Sequence, residues 1–216
     1  MSTHAEPAPR SEERAWLLRA LLVLQSPRSV FAALRDDSDE SARARAEPIT
    51  ALVILAGIAS VLWTPVAGRL LDDPAIDGLL VAVWAFIGGA FYGIAVYWIS
   101  GAIVYVAARL AGSVASYRRA RHLVAFAAAP LALSLFLLWP VRLAVYGGDV
   151  FRSGGADTGA GDDIFRGLAL VFVVWTLLLL LLGLRTVHGW SWRRSLASFA
   201  LAAAGLIGLP ALLYTF

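Results

Sequence analysis

The sequence predicts an all-α integral membrane bundle of five transmembrane helices, preceded by an N-terminal amphipathic or interfacial helical segment. Three observations predict it. Of 216 residues, 60% are hydrophobic and 15% are charged, with a mean hydropathy of +0.75. A soluble domain is nearer half apolar and a quarter charged. So much apolar surface could not be hidden from water, whereas a bilayer removes the need. The apolar residues also gather into five runs, at about 49–67, 78–110, 122–139, 164–184 and 196–214, each near or above the ~20 residues that cross a bilayer. Finally, the arginines between these runs alternate in density from one side to the other.

Residues 1–47 form the charged segment, with seven arginines and eight acids, and 48–216 the transmembrane domain. An apolar stretch from Ala15 to Leu24 is too short to cross a membrane. Glu12 and Glu13 before it and Ser26-Pro27 after it do not fit a signal peptide. Residues 11–25 read as a helix lying at the interface with Trp16 as anchor, or packed on the protein's own bundle. Ser26-Pro27 reads as a helix start, with serine as N-cap and proline in the first turn. The helix that follows, 27–35, carries Val30, Phe31 and Leu34 on one side. Residues 36–47 read as a polar linker ended by Pro48.

The run 78–110 would be ~50 Å long as one helix, against a ~30 Å hydrocarbon core, so it must tilt, protrude or kink. With the N-terminus in the cytoplasm, seven arginines of the tail fall inside. Arg109, Arg118, Arg119 and Arg121 join them from one connection, and Arg185, Arg193 and Arg194 from another. Arg69, Arg142, Arg152 and Arg166 remain outside with seven aspartates. That bias predicts a multi-pass protein of the cytoplasmic membrane with an extracytoplasmic C-terminus. All 18 basic residues are arginine and alanine is abundant, which suggests a GC-rich bacterial genome.

Chemistry is sparse. There is no cysteine, and no run carries Asp, Glu or Lys near its centre, where a charge is costly and usually functional. This argues against a carboxylate-relay transporter. No HExxH occurs, Gly189-Trp190-Ser191-Trp192-Arg193 fails the nucleophile-elbow pattern at its last position, and His4, His122 and His188 are too scattered for a metal. No catalytic residue, metal or cofactor is expected. Nucleic acid is not expected either, because the arginines follow topology. Residues 147–163, rich in Gly and Asp, read as a flexible outer loop whose spacing does not match an EF-hand.

Three features have two readings each. Arg118, Arg119, Arg121, His122, Arg185, His188, Arg193 and Arg194 set topology, or they form a basic pocket for anionic lipid headgroups or a phosphate-bearing partner. Gly89, Gly93 and Gly101 recur on one face of the second run, Gly89 to Gly93 being a GxxxG. They pack the bundle or form a homo-oligomer face. Pro130 shapes a helix or marks a bend lining a cavity. Pro65, Pro140 and Pro210 kink or end helices. In addition, Ser116-Tyr117-Arg118-Arg119 echoes Ser191-Trp192-Arg193-Arg194 at an offset of 75 residues, and Ala127-Ala128-Ala129 meets Ala202-Ala203-Ala204. Either two helical hairpins repeat in parallel, or abundant residue types coincide.

Three segments resemble the Yip domain family, the Ypt/Rab-interacting membrane proteins, in its bacterial branch. They are Ser26-Pro27-Arg28-Ser29-Val30-Phe31-Ala32-Ala33-Leu34; Tyr117-Arg118-Arg119 leading to Ala125-Phe126-Ala127-Ala128-Ala129-Pro130; and Gly183-Leu184-Arg185 with Val187-His188-Gly189. The resemblance implies a five-helix bundle. For eukaryotic members it implies Rab-type GTPase partners and vesicle traffic, but their Asp-Leu-Tyr-Gly-Pro segment is absent here. The expected function is non-enzymatic: organising the membrane or scaffolding a membrane-protein partner. The alternative is a permease or lipid transporter with a groove between hairpins.

Overall fold

The computed structural model describes residues 18–213, with side chains up to residue 206. Trp16 and residues 11–17 of the predicted interfacial helix lie outside the described residues, as does Tyr214. Every regular element among the described residues is helical. After a helical stretch over 18–22 come α1 (Pro27–Ala33), α2 (Asp39–Ala44), α3 (Ala46–Val61), α4 (Gly78–Leu110), α5 (Tyr117–Ala127), α6 (Ala129–Leu137), α7 (Trp139–Tyr146), α8 (Ala160–His188) and α9 (Trp192–Leu213). Short 3₁₀ helices at Ala67–Asp72 and Gly147–Phe151 follow α3 and α7.

Three runs are long and apolar enough to cross a membrane: Gly78–Leu110, Tyr117–Phe151 and Ala160–His188. α3 is apolar but shorter; at ~1.5 Å per residue it spans ~24 Å. α4 is one unbroken helix, started by Asp77, whose carboxylate accepts from the Leu80 amide at 2.8 Å. Phe86, Phe91, Leu170 and Val171 remain exposed on α4 and α8. Helices apolar on their outer faces as well as their inner ones are solvated by lipid, not water.

The core forms where α1, α5 and α8 meet. Phe31 and Leu34 of the α1 segment, Leu123 and Phe126 of α5, and Leu184 of α8 are all fully buried. Gly183 sits beneath Phe31: a Cβ there would lie 3.1 Å from the Phe31 ring and 3.2 Å from Leu123. A smaller aromatic cluster of Trp139, Phe151, Val81 and Leu70 closes the other end.

The sequence expectations need four corrections. Ser26 makes no side-chain cap; its carbonyl instead accepts from the Ser29 hydroxyl at 2.8 Å. Residues 36–47 are not a plain linker: Ser38 caps α2 by accepting from the Ser41 amide, and Pro48 lies inside the first turn of α3, where a missing N–H has no helical partner to lose. The third run is three helices, breaking at Ala128 and Leu138, each just before a helix with proline in its first turn. Residues 147–163 are not wholly a loop, because a short 3₁₀ helix opens the stretch and the first turn of α8 closes it.

Candidate functional site: two polar helix ends

The predicted arginines gather at one end of the bundle, and three of the six, Arg118, Arg119 and Arg194, tie the N-terminal segment and the two basic connections together. Arg118, in the first turn of α5, donates from Nε to Asp37 at 3.0 Å and from Nη1 to Asp39 at 2.6 Å, and its Nη2 reaches the Asp37 carbonyl. Ser116 caps α5 and its hydroxyl also donates to Asp37. Arg119 donates to the Arg35 carbonyl at 2.8 Å. Arg35 in turn donates twice to the Thr186 carbonyl near the end of α8, at 3.1 and 2.5 Å. Arg194 donates to the Ala111 and Gly112 carbonyls after α4, at 2.6 and 2.9 Å.

Arg45 is fully buried beneath this layer and pairs with Asp37 at 3.6 Å. Burial lowers its guanidinium from the ordinary arginine value, with Asp37 and Asp36 working against that. For Asp37, burial works against the charge. The Ser116 hydroxyl and the Arg118 guanidinium overcome it and hold the carboxyl below the usual value. Asp36 is held at about 2 by the Ser41 hydroxyl and the Ser38 amide.

Three of the other predicted residues face aromatic rings. Arg121 lies 3.6 Å from the Trp98 ring centroid and 4.8 Å from that of Tyr117. Arg185 lies over Trp192 at 4.3 Å, and His188 stacks on Trp190 at 4.2 Å with its Nδ1 facing the Leu184 carbonyl. His122 is buried. Arg193 is exposed. The space that Arg119 and His188 both line is about 10 Å³, about one water probe. His122 does not line it.

Gly89 and Gly93 meet α3. A Cβ on Gly57 would lie 2.6 Å from the Gly93 Cα, and one on Gly89 would lie 2.5 Å from the Ile58 Cα. That face is taken up within the chain. Gly101 instead makes room for the Arg121 side chain. Pro130 is fully buried in the first turn of α6.

The three segments that carried the family resemblance thus converge: α1 on Gly183, Tyr117-Arg118-Arg119 on the N-terminal segment, and Gly189 as the left-handed cap of α8, at φ +65°. The model of the Yip1 domain matches residues 21–214. The chain belongs to the Yip1 domain family. No curated protein and no solved structure matches it.

At the opposite end of this Yip1 domain lies a second polar cluster that sequence reasoning missed. Arg142 of α7 is 6% exposed and donates from Nη2 to Asp157 at 2.8 Å and to Asp162 at 2.9 Å. Arg166, one turn along α8, donates to Asp162 at 2.5 Å. Arg142 also lies 4.3 Å from the Trp63 ring centroid, and its Nε is buried without a hydrogen-bond partner. The Asp162–Arg166 spacing, i to i+4 at the start of a predicted span, was the available signal. The nearby connections meet here too, since the Ser153 amide donates to Asp72 at 2.9 Å.

Two cavities flank Trp63. One, of about 430 Å³, is lined by Arg142, Arg166, Asp157 and Thr64. The other, of about 380 Å³, runs between α3 and α8 over α6 and is lined by Ala59, Ser60, Ser134, Ala169 and Val173.

Proposed function

We propose that this Yip1 domain is a non-enzymatic protein of the cytoplasmic membrane that crosses the bilayer five times. Its arginine end and N-terminal segment face the cytoplasm, and it acts by organising the membrane or holding a membrane-protein partner. The observation that carries this is the segregation of its polar contacts. Arg35 and Arg118 join the N-terminal segment to the last turn of α8 and the first turn of α5, and Arg194 joins α9 to the α4–α5 connection, while the aspartate-rich connections meet at the other end. Fourteen of the 18 arginines belong to the first group by sequence, the bias expected of cytoplasmic loops. The arginines also serve anionic headgroups where they stay exposed, as at Arg193.

The polar side chains support a scaffold over a catalyst. At both ends they are largely spent on intramolecular contacts, and the Yip1 family is not known as an enzyme family. A second reading, a lipid transporter, is favoured by the 380 Å³ cavity beyond the Pro130 break. Reconstitution into liposomes with a fluorescent phospholipid separates the two. Scrambling at the protein-free rate fits the scaffold; scrambling that rises with protein density overturns it in favour of transport.

A further inference from the structure

The two cavities differ in character and share two walls, Trp63 and Arg166. The first is polar: two guanidiniums and the Asp157 carboxylate line it. Arg142 is the notable member, because its side chain is 7% exposed and its buried Nε has no partner. That Nε is itself shut off from the cavity, so it is the more open Arg166, whose side chain is 71% exposed, that offers a ligand its guanidinium. The second cavity is apolar. Its two hydroxyls are already turned to their own helices, Ser60 donating to Ala56 and Ser134 to Leu131, each at 2.7 Å. Nothing in it calls for a polar solute. It runs along α8 from Arg166 to Val173, about 10 Å of helix, on the membrane-facing side where Leu170 and Val173 are exposed.

We propose that the two cavities are one site for a single phospholipid with a cationic amine in its headgroup. Its phosphodiester lies between Arg142 and Arg166, its amine faces Asp157, and one acyl chain lies beside Trp63 between α3 and α8. Asp162 already bridges the two guanidiniums and Asp157 already pairs with Arg142, so the phosphate adds to the open face of the guanidiniums and the amine to that of Asp157. Both volumes fall within the ~300–1,000 Å³ of ordinary ligand sites. An anionic lipid without the amine makes no contact with Asp157, which keeps Arg142 as its cation at 2.8 Å. The site stands whether the bundle scaffolds partners or moves lipid.

The test uses the full chain in nanodiscs of equal phosphatidylethanolamine and phosphatidylglycerol, extracted into mild detergent and read by native mass spectrometry. Wild type retains one phosphatidylethanolamine per chain. Ala169→Trp fills the apolar groove without touching a charge, and Arg166→Gln removes an exposed arm. Each lowers the retained lipid at least tenfold, with the thermal midpoint as a folding control. Ser60→Phe replaces Ala169→Trp if that midpoint falls. Asp157→Asn abolishes the preference for phosphatidylethanolamine. Retention of phosphatidylglycerol equal to phosphatidylethanolamine by wild type, or undiminished lipid in the groove-filling variant that folds, overturns the proposal.

Discussion

Phe31 fills the space that Gly183 leaves, and both belong to segments that read weakly in isolation. The Phe31 ring is fully buried against Leu123 and Leu184, so Phe31→Ala should cost ~3–5 kcal/mol through lost contacts and a cavity. Thermal unfolding in detergent measures it. Asp37 is the polar counterpart. It accepts from Ser116 and Arg118 and pairs with buried Arg45, so Asp37→Asn should cost ~1–3 kcal/mol by stranding charged donors. Its effect should appear first as faster hydrogen exchange over residues 27–45. The same layer responds to acid. The folded carboxyls of Asp36 and Asp37 lie below the ordinary 3.8. Their stabilisation is therefore complete above that value and is lost as pH falls through the folded ones, for Asp36 from 3.8 to about 2. Exchange protection of α2 should fall across that window and hold steady above it.

Helix α5 illustrates how much of an element the sequence carries. Apolarity marks the run but not its start, which comes at Tyr117 because Ser116 caps it, ahead of the apolar stretch. Pro130 announces a break, yet only packing decides that Ala128 ends one helix and begins the next. α2 was missed because four of its six residues are polar and its two alanines, Ala42 and Ala44, are too few in so short a helix to give an apolar period to read. Gly89 and Gly93 were legible as a close-packing face, but their partner was not. Gly57, on a different helix, supplies the facing surface, and nothing local in the sequence links the two. Gly57→Leu should therefore destabilise the chain by ~1–3 kcal/mol or more, because the new side chain meets backbone atoms of α4 that cannot swing aside. An unfolding midpoint equal to wild type would mean that α3 and α4 do not meet there.

Across the whole molecule, the all-helical class and the family were legible because composition and run length depend on no contact. The Arg142 cluster was not: its members come from α7, a connection and α8, and only the fold brings them to Trp63. The central claim is that the arginine layer and the aspartate layer lie on opposite faces of one bilayer. The natural absence of cysteine allows a direct measurement: single cysteines at Ser41, Ser191, Ser153 and Thr158, probed with a membrane-impermeant maleimide in intact cells and in inverted vesicles. Cysteines at 153 and 158 should label only from outside the cell, and those at 41 and 191 only from the cytoplasmic side. Labelling of all four from one side, or of 41 and 191 on opposite sides, would contradict the account.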